Sequence, residues 1–335
     1  MKNVTVIGAG SWGCALGRIL ADNKYNVLLY DIDQKTVNEI NEFHTNSNKL
    51  FNAKLPDNVK ATSDIKEAIE YSQIIVLVVP TAVVRGVLRQ INLVIDNNKL
   101  FINASKGMEP ETFKRVSEIV SEEIDNKYLE GFVALTGPSH AEEVVNQKLT
   151  VIGAASDNIE HSKLVQTMFS NHQYFRVYTV NDLIGAELGG SLKNIYALAT
   201  GIVDGIGFGA NAKAAVITRA LVEMKRLAKV LGAKEDTLNG LTGVGDLIVT
   251  CTSNLSRNYQ AGLMIGKGDN LEEALSKMTM VVEGARTCIS AYQAARKYNV
   301  YTPLIDGVYD IIYNHKSPYD VLKQFMYTNL KDENE

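Results

Sequence analysis

Five stretches of this 335-residue chain set reactive side chains among glycines. The first is Gly8-Ala9-Gly10-Ser11-Trp12-Gly13, directly after the apolar run Val4-Thr5-Val6-Ile7 and before a helical pattern. In a strand–turn–helix setting the three glycines have separate jobs: Gly8 permits a tight turn, Gly10 lets backbone approach a pyrophosphate, and Gly13 lets the helix pack on the strand. The helix N-terminus adds N–H groups and a positive dipole for the anion. A kinase glycine loop is the rival, but no HRD- or DFG-type element follows; a glycine turn that serves packing alone is the bland alternative. Asp31 closes the next strand-like run, about twenty positions on, where an acidic side chain meets the adenosine ribose 2′-OH and repels a 2′-phosphate. With no basic residue before Lys35, this strand end predicts NADH over NADPH. The competing role for Asp31 or Asp33 is a helix N-cap.

The other four stretches would meet a substrate. Asn103-Ala104-Ser105-Lys106-Gly107 follows a strand-like run, which places Lys106 at the carboxyl edge of an open sheet, where ligands lie. Thr136-Gly137-Pro138-Ser139-His140-Ala141 is a second such end, with Ser139 able to donate a hydrogen bond. His140 could be an acid–base group, although a loop histidine is more often solvent-facing. In Leu188-Gly189-Gly190-Ser191-Leu192-Lys193-Asn194 the paired glycines cost a helix roughly 1 kcal/mol each, so something must approach the backbone there. Lys193 sits about 100° off the apolar stripe. A desolvated lysine can trade a proton, whereas a snorkelling one cannot. Gly243-Val244-Gly245-Asp246-Leu247 precedes Ser256-Arg257-Asn258, whose donors suit a phosphate. Together these groups describe a site for a small anionic alcohol or ketone beside a nicotinamide.

The elements that must position them fall into two textures. Up to about residue 180, short runs recur at Val4–Ile7, Val27–Tyr30, Ile74–Val79, Leu100–Asn103, Phe132–Thr136, Thr150–Ile152 and Tyr174–Tyr178. Their lack of polar alternation predicts strands buried on both faces, separated by helices such as Cys14–Asn23 and Asp33–Phe43. Beyond that point, apolar residues recur every three or four positions, and no proline lies between Pro138 and Pro303. The predicted fold class is a Rossmann-like α/β N-terminal domain, mostly parallel with helices on both faces, followed by an all-α C-terminal domain. The expected division is 1–185 for dinucleotide binding and 186–335 for substrate binding and catalysis. The tail Lys331–Glu335 is expected to be a solvated, frayed end.

Composition excludes other classes. With 34 basic and 38 acidic side chains the net charge is −4, which argues against nucleic acid as a partner. Three scattered cysteines provide neither a disulfide framework nor CxxC spacing, and the five histidines have no paired ligand spacing, so no metal is expected. The apolar start is too short for a signal peptide and no run could span a bilayer; the expected location is cytoplasmic.

Taken in order, GAGSWGCAL from Gly8, SKGMEPET from Ser105, TGPSHAEEV from Thr136, LGGSLKNIYALATGIVDGIGFGANAKAA from Leu188, TGVGDLIVTC from Thr242, SRN from Ser256 and VVEGARTC from Val281 closely resemble the bacterial NAD(P)-dependent glycerol-3-phosphate dehydrogenases over nearly the whole chain. The resemblance implies hydride exchange with NAD or NADP at C2 of sn-glycerol 3-phosphate or dihydroxyacetone phosphate, a supply of glycerol backbone for phospholipids, and the option of a homodimer. It implies Lys193 as the proton-transfer residue. Substrate contacts fall to Lys106, Gly137, Ser139, Lys193, Asp246, Ser256, Arg257 and Asn258, with Arg257 and Asn258 clamping the phosphate. Cofactor contacts fall to Ser11, Trp12, Lys106, Ala141, Arg257, Val281 and Glu283, beside the glycines and Asp31 read above. Two positions depart from the pattern: Asp31-Ile32 stands where many relatives carry a small and then a basic residue, and Cys14 stands where threonine is frequent. Cys14 reads as packing. The rivals are a β-hydroxyacid or 6-phosphogluconate-type dehydrogenase, in which SRN and GVGDL are not expected, and a sensor that binds NAD without turnover, in which Lys193 and Asp246 would have no reason to coexist.

Overall fold

The computed structural model describes residues 2–50, 53–110, 112–278 and 281–327, so the tail expected to fray at 331–335 lies outside the described residues. The chain forms two compact units, Met1–Ser191 with Leu231–Asp246, and Leu192–Val230 with Leu247–Glu335. In the first, the strands β1 (Asn3–Ile7), β2 (Asn26–Tyr30), β3 (Val59–Thr62), β4 (Ile74–Leu77), β5 (Lys99–Asn103), β6 (Leu129–Thr136), β7 (Thr150–Ala155) and β8 (Phe175–Val180) make one sheet in the order β3-β2-β1-β4-β5-β6-β7-β8. Helices α1 (Ser11–Asp22), α2 (Gln34–Phe43), α3 (Ile65–Glu70), α4 (Thr81–Val94), α5 (Val116–Glu123), α6 (Ala141–Val145) and α7 (Ile159–Phe169) connect them.

The first six strands are parallel; β6 and β7 pair antiparallel, and β7 and β8 parallel again. The order 3-2-1-4-5-6 is that of doubly wound nucleotide-binding sheets, whose ligands lie outside the carboxyl ends of the strands, where the order reverses. Here the reversal is at β1, with Val6 opposite Leu29 on one side and Val76 on the other. Alternate residues serve opposite faces. Val4 and Val6 pack with Leu16, Ile19 and Phe169, while Ile7, Ile75 and Phe101 pack with Val84, Leu88 and Ile119. Both faces are therefore apolar, which explains the unbroken hydrophobic runs. The strand that pattern reading passed over is β3, at the sheet edge: it is four residues long with Lys60 exposed, as edge strands are built to be.

The helix α8 (Leu183–Ile206) begins in the first unit and ends in the second. The second unit continues with α9 (Gly209–Val230), α10 (Asp246–Thr252, of which Asp246 belongs to the first unit), α11 (Arg257–Gly266), α12 (Leu271–Ser276), α13 (Glu283–Lys297), α14 (Pro303–Tyr313) and α15 (Pro318–Met326). Every α8 position from 185 to 203 is buried, so it is a central helix rather than an amphipathic surface one. Gly201 and Gly205 on α8 face Gly262 and Gly266 on α11. A Cβ on any of the four would run into a main-chain atom of the other helix, so the two backbones touch. No described helix is long and apolar enough to cross a membrane.

Glu223 of α9 works as a cap from outside: its carboxylate accepts the Leu304 and Ile305 N–H groups at the start of α14, at 2.8 and 2.9 Å. Burial pushes this carboxyl up from an ordinary 4.5 to about 7, against the pull of those two N–H groups. Between these values the folded chain holds a proton that the unfolded chain has released, so this group's contribution to stability falls as pH rises through the window. Compared with wild type, E223Q should gain up to about 3 kcal/mol in urea unfolding between pH 4.5 and 8; a pH-independent difference would contradict the assignment.

Candidate active site

The glycine loop follows β1. Gly8 holds φ at +110°, where a Cβ would also strike the Val78 carbonyl, and a Cβ on Gly13 would overlap the Gly8 carbonyl oxygen. At Gly10 a Cβ would meet nothing within 4 Å, and Gly10 caps α1 with no side-chain hydrogen bond. The loop thus leaves open space over a helix N-terminus that no side chain has satisfied, and the indole Nε1 of Trp12 is buried without a partner. These features fit a dinucleotide pyrophosphate. Asp33 is the N-cap of α2, accepting Lys35 N–H at 3.1 Å. Asp31 accepts the Ala9 N–H through Oδ2 at 3.1 Å and the Asp33 N–H through Oδ1 at 3.0 Å. Its carboxylate is therefore tied to the glycine loop itself. Cys14 is buried under the loop, its thiol pushed up to about 12 by burial, a packing position rather than a reactive one.

Lys106 leaves the end of β5 on a turn held from within: the Asn103 carboxamide brackets Ser105, whose hydroxyl donates to Val79 O at 2.7 Å. Its ammonium donates to Gly137 O and to Asp246 Oδ2, both at 2.9 Å. Ser139 also donates to Gly137 O, at 3.0 Å. Lys106, Gly137, Ser139 and Asp246 form one bonded cluster, with Asp246 wholly buried. Asp246 is brought there by a π-helical turn, Leu241–Gly245, a rare geometry that recurs at functional sites. The segment before it is anchored by Asp182, which accepts Gly185 N–H, Lys234 N–H and the Thr237 hydroxyl. The close approach foreseen at the paired glycines is made by the chain: a Cβ on Gly189 would overlap Thr242 O, and one on Gly190 would lie 2.7 Å from Thr136 Oγ1.

Lys193, expected at the edge of an apolar stripe, is instead enclosed on a helix buried all round, because glycine and other small side chains let neighbours pack against faces that hydropathy reads as neutral. It is 5% exposed and donates to the Thr250 hydroxyl at 2.7 Å; Thr250 is 4% exposed. An enclosed ammonium on a hydroxyl is not a snorkelling lysine. On α11, Ser256 Oγ caps the helix through Tyr259 N–H, Arg257 is half-buried at the first position, and Asn258 donates to Asn194 Oδ1 at 3.0 Å while accepting Gly284 N–H at 2.8 Å. Those two bonds leave Asn258 one amide hydrogen for a ligand. Ala141 opens α6, with His140 half-buried before it; Val281 is exposed and Glu283 opens α13.

Sequence reading missed three contributors. Thr250 stands one turn beyond Asp246 on α10, a spacing that could have flagged it. Glu187 accepts Ser117 N–H at 2.9 Å and Arg115 Nη1 at 3.0 Å, fixing α8 against the start of α5. Asn46 donates to Ala9 O at 2.7 Å. The latter two act across long stretches of chain and leave no local pattern.

Comparison with known proteins adds the family. Residues 3–162 match the family described as NAD-dependent glycerol-3-phosphate dehydrogenase N-terminus, and residues 182–323 match its C-terminus. A glycerol-3-phosphate dehydrogenase [NAD(P)+] of Macrococcus caseolyticus is 48% identical over 97% of this chain and 98% of its own length. Its counterpart from Geobacillus kaustophilus is 48% identical over 99% and 96%. The crystal structure of glycerol-3-phosphate dehydrogenase from Coxiella burnetii superposes with a TM-score of 0.93 at 35% identity, covering 98% of this chain and 99% of that one. This chain belongs to the NAD-dependent glycerol-3-phosphate dehydrogenase family.

Proposed function

We propose that this chain interconverts dihydroxyacetone phosphate and sn-glycerol 3-phosphate, and that the Lys193–Thr250 pair is the observation that carries its chemistry. NAD(P)H, when bound, supplies the hydride that reduces C2. Lys193 gives its proton to the C2 oxygen as that oxygen gains charge, and takes it back in the oxidative direction. Thr250 accepts from the ammonium and so orients it. Arg257 binds the phosphate as a planar fork of donors, helped by the remaining N–H of Asn258 and by the Ser256 hydroxyl. Lys106, fixed by Asp246 and Gly137 O, supplies a second positive charge; Gly137 and Ser139 bound the substrate beside it. Gly8, Gly10, Ser11, Trp12, Gly13 and Asp31 hold the dinucleotide, with Lys106, Ala141, Arg257, Val281 and Glu283 as further contacts.

The functional division is 1–185 for dinucleotide and 186–335 for substrate, with Asp246 supplied from the segment that packs with the sheet. A cytoplasmic homodimer that feeds phospholipid synthesis completes the reading. Purified protein should oxidise NADH when dihydroxyacetone phosphate is added; no turnover with either reduced cofactor would overturn it. Asp31 carries the cofactor preference, since a 2′-phosphate would face its carboxylate. The expected kcat/KM is at least about tenfold higher with NADH, worth about 1.4 kcal/mol, and equal values would refute the preference.

A further inference from the structure

Side chains from outside the glycine loop converge on one of its residues, Ala9: Asp31, Asn46 and, at a longer 3.4 Å, the Cys14 thiol, which also donates to Ala9 O. Ala9 gives its N–H to Asp31, and its carbonyl accepts the Asn46 carboxamide at 2.7 Å. Asn46 comes from the segment after α2, 37 residues along the chain, and is 2% exposed. The same carboxamide nitrogen lies 3.5 Å from Cys14 Sγ, and Ser11 Oγ donates to Lys49 O at 2.8 Å, so residues 46–49 form a strap across the loop and the first turn of α1. The strap is tied down in turn by Glu39, whose Oε1 accepts Ser47 N–H at 2.6 Å and the Thr45 hydroxyl at 2.8 Å.

A glycine-rich turn is conformationally permissive, and that freedom must be lost when it wraps a pyrophosphate. We propose that Asn46 is a positioning residue for the dinucleotide. By fixing the Ala9–Gly10 peptide through its carbonyl, while Asp31 fixes the Gly8–Ala9 peptide through its N–H, it holds residues 8–10 in the binding shape before the ligand arrives. The proposal rests on the reading that this loop binds NAD(H). Asn46 acts through Ala9 rather than on the ligand, and it acts as a donor: an aspartate of the same shape would oppose the Ala9 carbonyl with a second acceptor.

The test uses the full chain and its single tryptophan, Trp12, which lies in the loop and reports titration with NADH by quenching. N46D should bind NADH about tenfold more weakly, a change of about 1.4 kcal/mol. KM for NADH should rise in step, with kcat at saturating NADH and KM for dihydroxyacetone phosphate within twofold of wild type. Hydrogen exchange at Ala9 and its neighbours should quicken in the free protein, and N46S, which keeps a donor, should recover part of the affinity and stands in if N46D does not fold. Unchanged NADH affinity in N46D or in N46A overturns the proposal. So does a loss shared equally by the KM values of both substrates, which marks Asn46 as merely structural. If wild type itself fails to bind NADH, it is the dinucleotide reading that fails.

Discussion

Replacing Lys193 with alanine should lower kcat by about 10²–10⁴-fold, the range that a positioned proton-transfer group contributes, with KM for NADH little changed. The loss should not come from unfolding. Alanine is the best helix former, and position 193 lies inside a 24-residue helix, so propensity improves while a buried charge disappears. The Thr250 hydroxyl loses the ammonium it accepts from, a hydrogen bond worth on the order of 1 kcal/mol. Lys193→Met fills the space without a proton to give and should be nearly as inactive, which separates chemistry from cavity formation. T250V should lower kcat about tenfold and T250S should restore most of it, since serine keeps the accepting oxygen. Stopped-flow and steady-state assays would check the series, and a K193A enzyme within tenfold of wild type would remove Lys193 from its role.

Asp246→Ala should have the second largest effect, lowering kcat/KM by about 10²-fold or more and unfolding free energy by about 2–5 kcal/mol, as when one partner of a buried, hydrogen-bonded charge pair is removed. The magnitude follows from burial: Asp246 is wholly enclosed and the Lys106 side chain is only 18% exposed, so water cannot replace the missing carboxylate. The Lys106 ammonium would keep only Gly137 O of the two bonds described here and would drift from its place. Adding K106M to D246A should cost little more, because the pair acts as a unit, and a double-mutant cycle should give a coupling of roughly 0.5–3 kcal/mol. A D246A penalty below about 1 kcal/mol would place the pair among ordinary surface salt bridges, and the anchoring role would fall.

How much of this was legible depended on whether the signal was local. The glycine loop was, because Gly8 answers a positive φ and Gly13 a clash with the Gly8 carbonyl five residues back, and so were the buried strands, whose continuous apolar runs report two covered faces. Lys106, Gly137, Ser139 and Asp246 could be nominated from their settings, but their mutual bonding could not, since it joins three segments far apart in the chain. The paired glycines of α8 were read correctly as a site of close approach, yet what approaches is the chain's own Thr242 and Thr136. Lys193 was placed at an edge because an apolar stripe is a hydropathy pattern, and hydropathy is blind to burial by small-residue packing.

By itself the sequence determined the alternation that makes a parallel sheet, the glycine geometry at the end of β1, the acidic end of β2 and the identity of every reactive group. These follow from side-chain chemistry and backbone sterics within one or two turns of chain. Only the tertiary structure decided which groups are paired and which are buried: Lys193 on Thr250, Lys106 on Asp246, and Ala9 held between Asp31 and Asn46. A hydrogen bond acts over about 3 Å, and residues that distant in sequence come within that range only when the packed core brings them there.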